Sequence, residues 1–187
     1  MVELLRKDSH GLVVDDWTYC IIINDVIDVK ISNPLKDNVN DIDDVIEVMA
    51  TTNNVMPHLH MPLQSGSDTI LASMRRSYRS EKYMGIIDRV RQAIPDAGIT
   101  TDIIVGFPGE TEEDFQILLD FLEEAQLDRV GCFAYSPVEG AQANELPDPV
   151  PEKVRVARQR RLMKLQEKIS AARLKQKHDI AGFATAT

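Results

Sequence analysis

An α/β fold built on parallel strands is predicted by three features of the sequence. Short β-branched apolar runs alternate with amphipathic helical patterns, an order in which each helix must cross over between parallel strands. The stretch 99–111 reads as a strand covered on both faces, then a tight turn, then a helix start. Ile99, Ile103, Ile104 and Val105 supply the apolar, β-branched strand, and Gly106 and Gly109 flank Pro108 in the turn. The candidate strand ends at 64–66, 106–110 and 135–137 are all polar or glycine-bearing, so they would line one mouth. Chemistry in parallel sheets gathers at such C-terminal strand ends. Three or four βα units do not close an eight-fold barrel, so the count favours a partial (β/α) barrel or an open α/β sheet.

The elements follow in order. Strands are expected over 19–23 and 26–31, with Asn24-Asp25 as a turn and Asn33-Pro34 closing the second run. From Asp41, Ile42, Val45, Ile46 and Met49 fall on one face of a short helix, with Asp41, Asp43 and Asp44 at its positive end. A strand over 57–63 ends at Gln64-Ser65-Gly66-Ser67, and Ser67 is placed to cap a helix carrying Ile70, Leu71 and Met74. Ser80 is placed to cap the next helix, whose apolar side is Tyr83, Ile86, Ile87, Val90 and Ile94. Thr111 is a good N-cap, with Asp114 three residues on as a short capping box. Phe115, Leu118, Leu119 and Leu122 form the face of its helix. A strand over 129–135 leads through a Pro- and Gly-bearing loop to Pro151, which suits the first turn of a long helix. The apolar side of that helix is expected to be Val154, Ala157, Leu162, Leu165, Ile169 and Ala172, and the tail beyond 179 has weak pattern.

Composition narrows the class. The chain has 187 residues, 43% hydrophobic and 27% charged, which suits one soluble domain with a real core. No run is apolar enough for a membrane span and the N-terminus lacks a signal-peptide core, so a cytoplasmic setting with no membrane partner is expected. Cys20 and Cys132 are too few for a disulfide framework and are expected to be buried free thiols. Net charge is −9, yet Lys153, Arg155, Arg158, Arg160, Arg161, Lys164, Lys168, Arg173, Lys175 and Lys177 crowd one helix. That helix is either a solvated face or a local contact for RNA or an acidic partner.

Several residues could carry chemistry. His58 and His60 alternate along a strand and share a face, where they could hold a metal or simply pack and hydrogen-bond; no third ligand sits at a helpful spacing. Asp102 lies inside an apolar strand and must either face the mouth or find a basic partner. Glu110 either favours the helix dipole or meets a ligand. No Ser-His-Asp order, Walker lysine or dinucleotide glycine fingerprint is present. The residues by themselves define a ligand-binding α/β domain.

Three blocks extend this reading: 60–68 (His60-Met61-Pro62-Leu63-Gln64-Ser65-Gly66-Ser67-Asp68), Met74-Arg75-Arg76, and 102–115 with Gly106-Phe107-Pro108-Gly109-Glu110-Thr111. Together they resemble the radical S-adenosylmethionine methylthiotransferases, densely over 54–177. The resemblance implies a truncated radical SAM domain, a partial (β/α) barrel with S-adenosylmethionine across the strand ends and a long C-terminal helix. It divides the chain into a poorly matched segment 1–40, the partial β/α domain 41–150, a long basic exit helix 151–178 and a tail 179–187. On that analogy Gln64 and Ser65 end the fourth strand of the family, Asp102 to Gly106 forms the fifth, and Val105, Gly106 and Phe107 face the nucleoside. Residues 60–115 look like the branch that methylthiolates an isopentenylated tRNA adenosine. Residues 119–177 look like the branch that methylthiolates an aspartate of a small-subunit ribosomal protein.

The resemblance also implies 4Fe-4S clusters held by Cys-x-x-x-Cys-x-x-Cys and by three further cysteines, because cluster irons require thiolates. Cys20 and Cys132 match neither set, and Ser32-Asn33-Pro34 replaces the usual Ser-His-Pro. The expectation is a fragment that is inactive alone, completed by a separate cysteine-bearing N-terminal half. The alternative is a non-catalytic partner or a module that docks on RNA or protein.

Overall fold

The computed structural model describes the backbone of residues 18–23, 26–31 and 40–184, and the side chains of 42–177. The chain groups into two compact units, where length alone suggests one: 63–80 with 101–187, and the remainder.

The first unit holds strands β1 (Thr18–Ile23), β2 (Val26–Ile31) and β3 (Val55–His60), with the opening residues of β4 (Gly98–Val105). β1 pairs antiparallel with β2, β2 parallel with β3, and β3 parallel with β4 through Leu59 opposite Ile99. The parallel sheet is as predicted, with an antiparallel strand added at its β1 edge. Asn24-Asp25, the predicted turn, lies outside the described residues. Helix α1 (Asn40–Thr51) buries Ile42, Ile46 and Met49 as its spacing requires. Helix α3 (Ser80–Ala93) buries Tyr83, Ile86, Ile87 and Val90, and the Tyr83 hydroxyl donates to the Met61 carbonyl.

The second unit holds the rest of β4 and strand β5 (Arg129–Ala134), its neighbour in the sheet, with helices α2 (Asp68–Ser73), α4 (Glu112–Ala125) and α5 (Glu152–Ala184). Burial alternates along β4, so Thr101, Ile103 and Val105 enter the core while Asp102 and Ile104 share the opposite face. Thr111 caps α4 with the full capping box: its Oγ1 accepts from the Asp114 N–H at 3.0 Å, and its own N–H donates to Asp114 Oδ2 at 3.0 Å.

Two expected caps are built differently. Ser67 stands at the N-cap of α2 but makes no side-chain cap; its hydroxyl donates to Asp114 Oδ1 at 2.6 Å, since a carboxylate is the stronger acceptor. At Ser80 the orphan N–H is satisfied by Asp68 Oδ1 at 2.8 Å. Helix α5 buries Arg158, Leu162, Gln166 and Ile169, and leaves Ala157 and Ala172 exposed. The predicted apolar side is therefore rotated, because polar side chains take the inner positions and find hydrogen bonds there.

Candidate functional site

The C-terminal ends of β4 and β5 and the turn after Leu63 meet around a cleft of about 290 Å³. Gln64, Phe107 and Tyr135, one from each predicted strand end, all line it, together with Ile104, Arg75, Arg76, Gln142 and Leu146. This is the mouth that the three polar strand ends call for. Its volume stands at the lower end of the roughly 300–1,000 Å³ of small-molecule sites.

Gln64 holds a left-handed conformation, φ 71°, which costs a residue with a side chain about 1–2 kcal/mol. Two backbone bonds to β4 hold it there: its N–H donates to the Asp102 carbonyl and its carbonyl accepts from the Ile104 N–H, both at 2.9 Å. Backbone strain of this kind concentrates at ligand sites. The next residues anchor the turn. Ser65, buried, accepts from the Ser67 N–H at 3.2 Å, and a Cβ on Gly66 would lie 2.8 Å from the Leu118 Cα of α4. Phe107 and Tyr135 meet edge to face with ring centroids 5.4 Å apart, so the apolar wall of the cleft is preorganised.

The Gly106 turn is occupied by the protein itself. Its N–H donates to Glu110 Oε1 at 2.8 Å, and the Arg155 side chain covers it so closely that a Cβ on Gly106 would fall 2.2 Å from Arg155 Cγ. Gly106 and Gly109 both take positive φ, 72° and 84°, as the turn reading requires. Glu110, directly before the α4 N-cap, is engaged by the chain itself. Arg158 of α5 reaches it, with Nη1 2.6 Å from Oε1, and both side chains are buried. Burial pushes the Glu110 carboxyl up, while the Gly106 N–H and Arg158 oppose that rise. The Arg158 guanidinium also lies 5.5 Å from the Phe115 ring centroid and 3.4 Å from Glu112 Oε2. Arg161, bonded to Glu112, holds that carboxyl below its usual range. At Asp114 burial would raise the carboxyl, but the hydroxyls of Ser67 and Thr111, the Thr111 N–H and Arg158 outweigh it and the pKa falls.

Of the predicted site residues, Gln64 and Phe107 face the cleft. Asp102 shares the Ile104 face, and its Oδ1 lies where a Cβ on Gly131 would come within 2.4 Å. Ser65, Val105 and Gly106 are buried next to lining residues in the chain and do not themselves line the cleft; the Val105 carbonyl accepts from the Tyr135 N–H at 2.8 Å. Arg75, Arg76 and Gln142 are lining residues that sequence reasoning does not single out for the site; the Arg75-Arg76 pair within the 74–76 block is the signal that points to two of them. In the first unit His58 Nε2 and His60 Nδ1 both reach the Thr100 hydroxyl, at 3.1 and 3.0 Å, which is the hydrogen-bonding reading of that pair. One hydroxyl has one proton, so at least one of the two rings donates to it.

A four-iron cluster does not fit this chain. The sequence has 2 cysteines, fewer than the three of the Cys-x-x-x-Cys-x-x-Cys set that the family resemblance implies. Cys132 is a buried free thiol pushed up to about 12 by burial and by the Glu110 carboxylate, so it is protonated at neutral pH and a poor iron ligand. Among the described residues no group of three or more His, Cys, Asp or Glu side chains is placed to hold a metal. A nucleoside fits better: the cleft offers aromatic and aliphatic walls at Phe107, Tyr135, Ile104 and Leu146, with Gln64 and Gln142 also among its lining.

Comparison with known proteins agrees with this fold. The Radical SAM superfamily sequence model matches residues 13–122, and the chain belongs to that superfamily. Within it, the chain is 61% identical over 128 residues to a tRNA-2-methylthio-N(6)-dimethylallyladenosine synthase of Mycolicibacterium smegmatis, a match that covers 68% of this chain and 25% of that protein. It is 60% identical over 129 residues to the protein of the same name from Corynebacterium urealyticum, covering 69% of this chain and 24% of the relative. The chain thus spans about a quarter of the length of these relatives. The solved structure of coproporphyrinogen III oxidase from Escherichia coli, described as a radical SAM enzyme, superposes with a TM-score of 0.57 at 21% identity. That match covers 81% of this chain and 32% of the oxidase and speaks for the fold alone. No described helix is long and apolar enough to cross a membrane.

Proposed function

We propose that this chain is the nucleoside-holding part of a radical SAM methylthiotransferase domain of the tRNA branch, working in the cytoplasm. In this reading Gln64 and Phe107 contact S-adenosylmethionine, and Ser65, Asp102, Val105 and Gly106 fix the strand ends around it. The observation that carries the proposal is the cleft itself: three strand ends converge, one of them strained at Gln64, on an aromatic wall, with Gln64 and Gln142 also among the lining. The relatives' name, a synthase of 2-methylthio-dimethylallyladenosine in tRNA, supports a tRNA adenosine as the substrate of the complete enzyme.

The iron–sulfur chemistry of the family has no ligands here, so a cysteine-bearing segment outside this chain would supply it. The chain's own residues bind, orient and shield the nucleoside. The resemblance of 119–177 to the ribosomal-protein branch keeps that substrate as a second reading, separable by assaying a completed enzyme on tRNA and on the ribosomal protein.

Isothermal titration of the chain with S-adenosylmethionine tests the proposal. Binding is expected, and Phe107→Ala should weaken it by roughly ten-fold, since one base–aromatic stack is worth about 1–3 kcal/mol. No binding, or binding indifferent to changes at Gln64, Phe107 and Tyr135, would overturn it. Anaerobic reconstitution with iron and sulfide is expected to leave no stoichiometric four-iron cluster on the chain.

A further inference from the structure

Helix α5 has two sides of different character. Its inner side carries Arg158, Leu162, Gln166 and Ile169, all buried. On the opposite side Lys153, Arg160, Lys164, Lys168 and Lys175 are all exposed. Their spacings of 7, 4, 4 and 7 residues keep them in one row, since 3.6 residues make a turn. The row runs about 33 Å along the helix at 1.5 Å per residue. Glu167 is the only acid in the sequence between its ends.

The helix sorts its cations by side. Those turned toward the protein are held by carboxylates: Arg158 by Glu110, Arg161 by Glu112, and Arg173 and Lys177 by Asp128. Among the described residues, none of the five in the outer row is in an ion pair. The row is also fixed in place, because Gln159, Gln166 and Ser170 bond the helix to the carbonyls of Cys132, Leu127 and Asp128. A chain of net charge −9 repels polyanions as a whole and admits them only where positive charge is left uncompensated.

The chemistry of the row favours a phosphate backbone over an acidic protein. Protein partners are held by aromatic and apolar anchors at the centre of an interface, where lysine is depleted. Met163 and Leu174, the exposed large apolar residues of α5, fall beside the row and not in it. A phosphate backbone needs no such anchor, because cations bind it by releasing its condensed counterions. We infer that the outward face of α5 is an RNA-docking surface, on which Lys153, Arg160, Lys164, Lys168 and Lys175 neutralise successive backbone phosphates. This rests on the tRNA reading above and adds to it the surface that holds the RNA.

The test is fluorescence anisotropy of a labelled tRNA with the full chain across a potassium chloride series. Each phosphate no longer neutralised makes the plot of log affinity against log salt shallower by about 0.7–0.9. Arg160→Gln, Lys164→Gln and Lys168→Gln should each have that effect, and the three together should flatten the slope by about 2–3. Arg160→Lys should keep the slope, since the row acts through charge, and Lys82→Gln on the exposed side of α3 should leave it unchanged. The α5 variants should melt with the unaltered chain, because the replaced side chains stand in water. An undiminished slope in the triple variant, or an equal loss in Lys82→Gln, would overturn the docking surface while sparing the tRNA reading. Displacement of the tRNA by polyglutamate at equal charge concentration would assign the row to an acidic protein and overturn it too. Failure of the unaltered chain to bind tRNA would also overturn it, and the S-adenosylmethionine titration, which involves no RNA, would still decide the nucleoside reading on its own.

Discussion

Helices α4 and α5 pack in the same unit yet are buried by opposite chemistry. Phe115, Leu118, Phe121, Leu122 and Ala125 of α4 form an apolar stripe. At that face burial itself is the stabilising term, about 25 cal/mol per Å² of apolar surface. The inner side of α5 interleaves Leu162 and Ile169 with Arg158 and Gln166. Its polar members bond outward: Gln166 Nε2 to the Leu127 carbonyl at 2.9 Å, Gln159 Nε2 to the Cys132 carbonyl at 2.7 Å, and Ser170 Oγ to the Asp128 carbonyl at 2.7 Å. These bonds cap the backbone around β5, and Arg158 ties the Glu110 turn to the same helix. An apolar face tolerates replacements of similar volume, whereas each polar contact of α5 leaves a buried orphan when its partner is removed.

The largest effect that would test this contrast is at Arg158. Arg158→Met leaves the Glu110 carboxylate buried without its cation and should cost about 3–5 kcal/mol in urea unfolding. Its pH dependence has a definite sign. Glu110 has a folded pKa raised above its ordinary 4.5, and removing Arg158 raises it further. A raised carboxyl favours the fold below the unfolded pKa and loses that contribution as pH rises through the folded value. The variant's deficit should therefore be smaller at acidic pH than at pH 8, and an equal deficit at both would contradict a buried, uncompensated carboxylate.

Gly66→Ala comes next. A methyl group 2.8 Å from the Leu118 Cα meets backbone that cannot swing aside, so about 1–3 kcal/mol should be lost. Gly109, with open space where a Cβ would stand, should respond only through its positive φ.

Thr111→Ala removes half of the capping box and should cost about 1 kcal/mol, read from the same unfolding curves. Asp114 has a folded pKa below its ordinary 3.8, so its contribution is present above that value and lost as pH falls through the folded one. Without the Thr111 hydroxyl the Asp114 pKa should rise, and acid unfolding should begin at higher pH. Arg160→Gln, on the exposed side of α5, should change stability by less than about 0.5 kcal/mol. A loss there as large as at Arg158 would mean that charge on α5, rather than the buried pair, holds the helix.

Much of the candidate site is legible in the sequence because its signals are local. Turn glycines, a capping threonine and strand ends rich in polar residues each depend on a few neighbours, and they put Gln64, Phe107 and Tyr135 on one cleft. Asp102 stands apart from its apolar neighbours for an equally local reason, since alternation along β4 alone assigns its face. The role of Glu110 is not legible, because its partner Arg158 lies 48 positions away and nothing near either residue announces the pair. The Ser67 cap misleads for the same reason: a distant carboxylate competes for its hydroxyl better than the helix end does.

The sequence by itself determined the alternation of strands and helices, the parallel strands, the mouth at their ends and the shortage of cysteines for a cluster. These follow from periodicity, backbone conformational limits and the count of ligating side chains, which are properties of short stretches or of composition. Only the tertiary structure decided which side of α5 is buried, that the Arg155 side chain lies over Gly106, and which arginines are held by carboxylates. Those outcomes depend on where charged and hydrogen-bonding groups find partners across the fold, and the energy of a buried charge is set by its partner, not by its place in the chain.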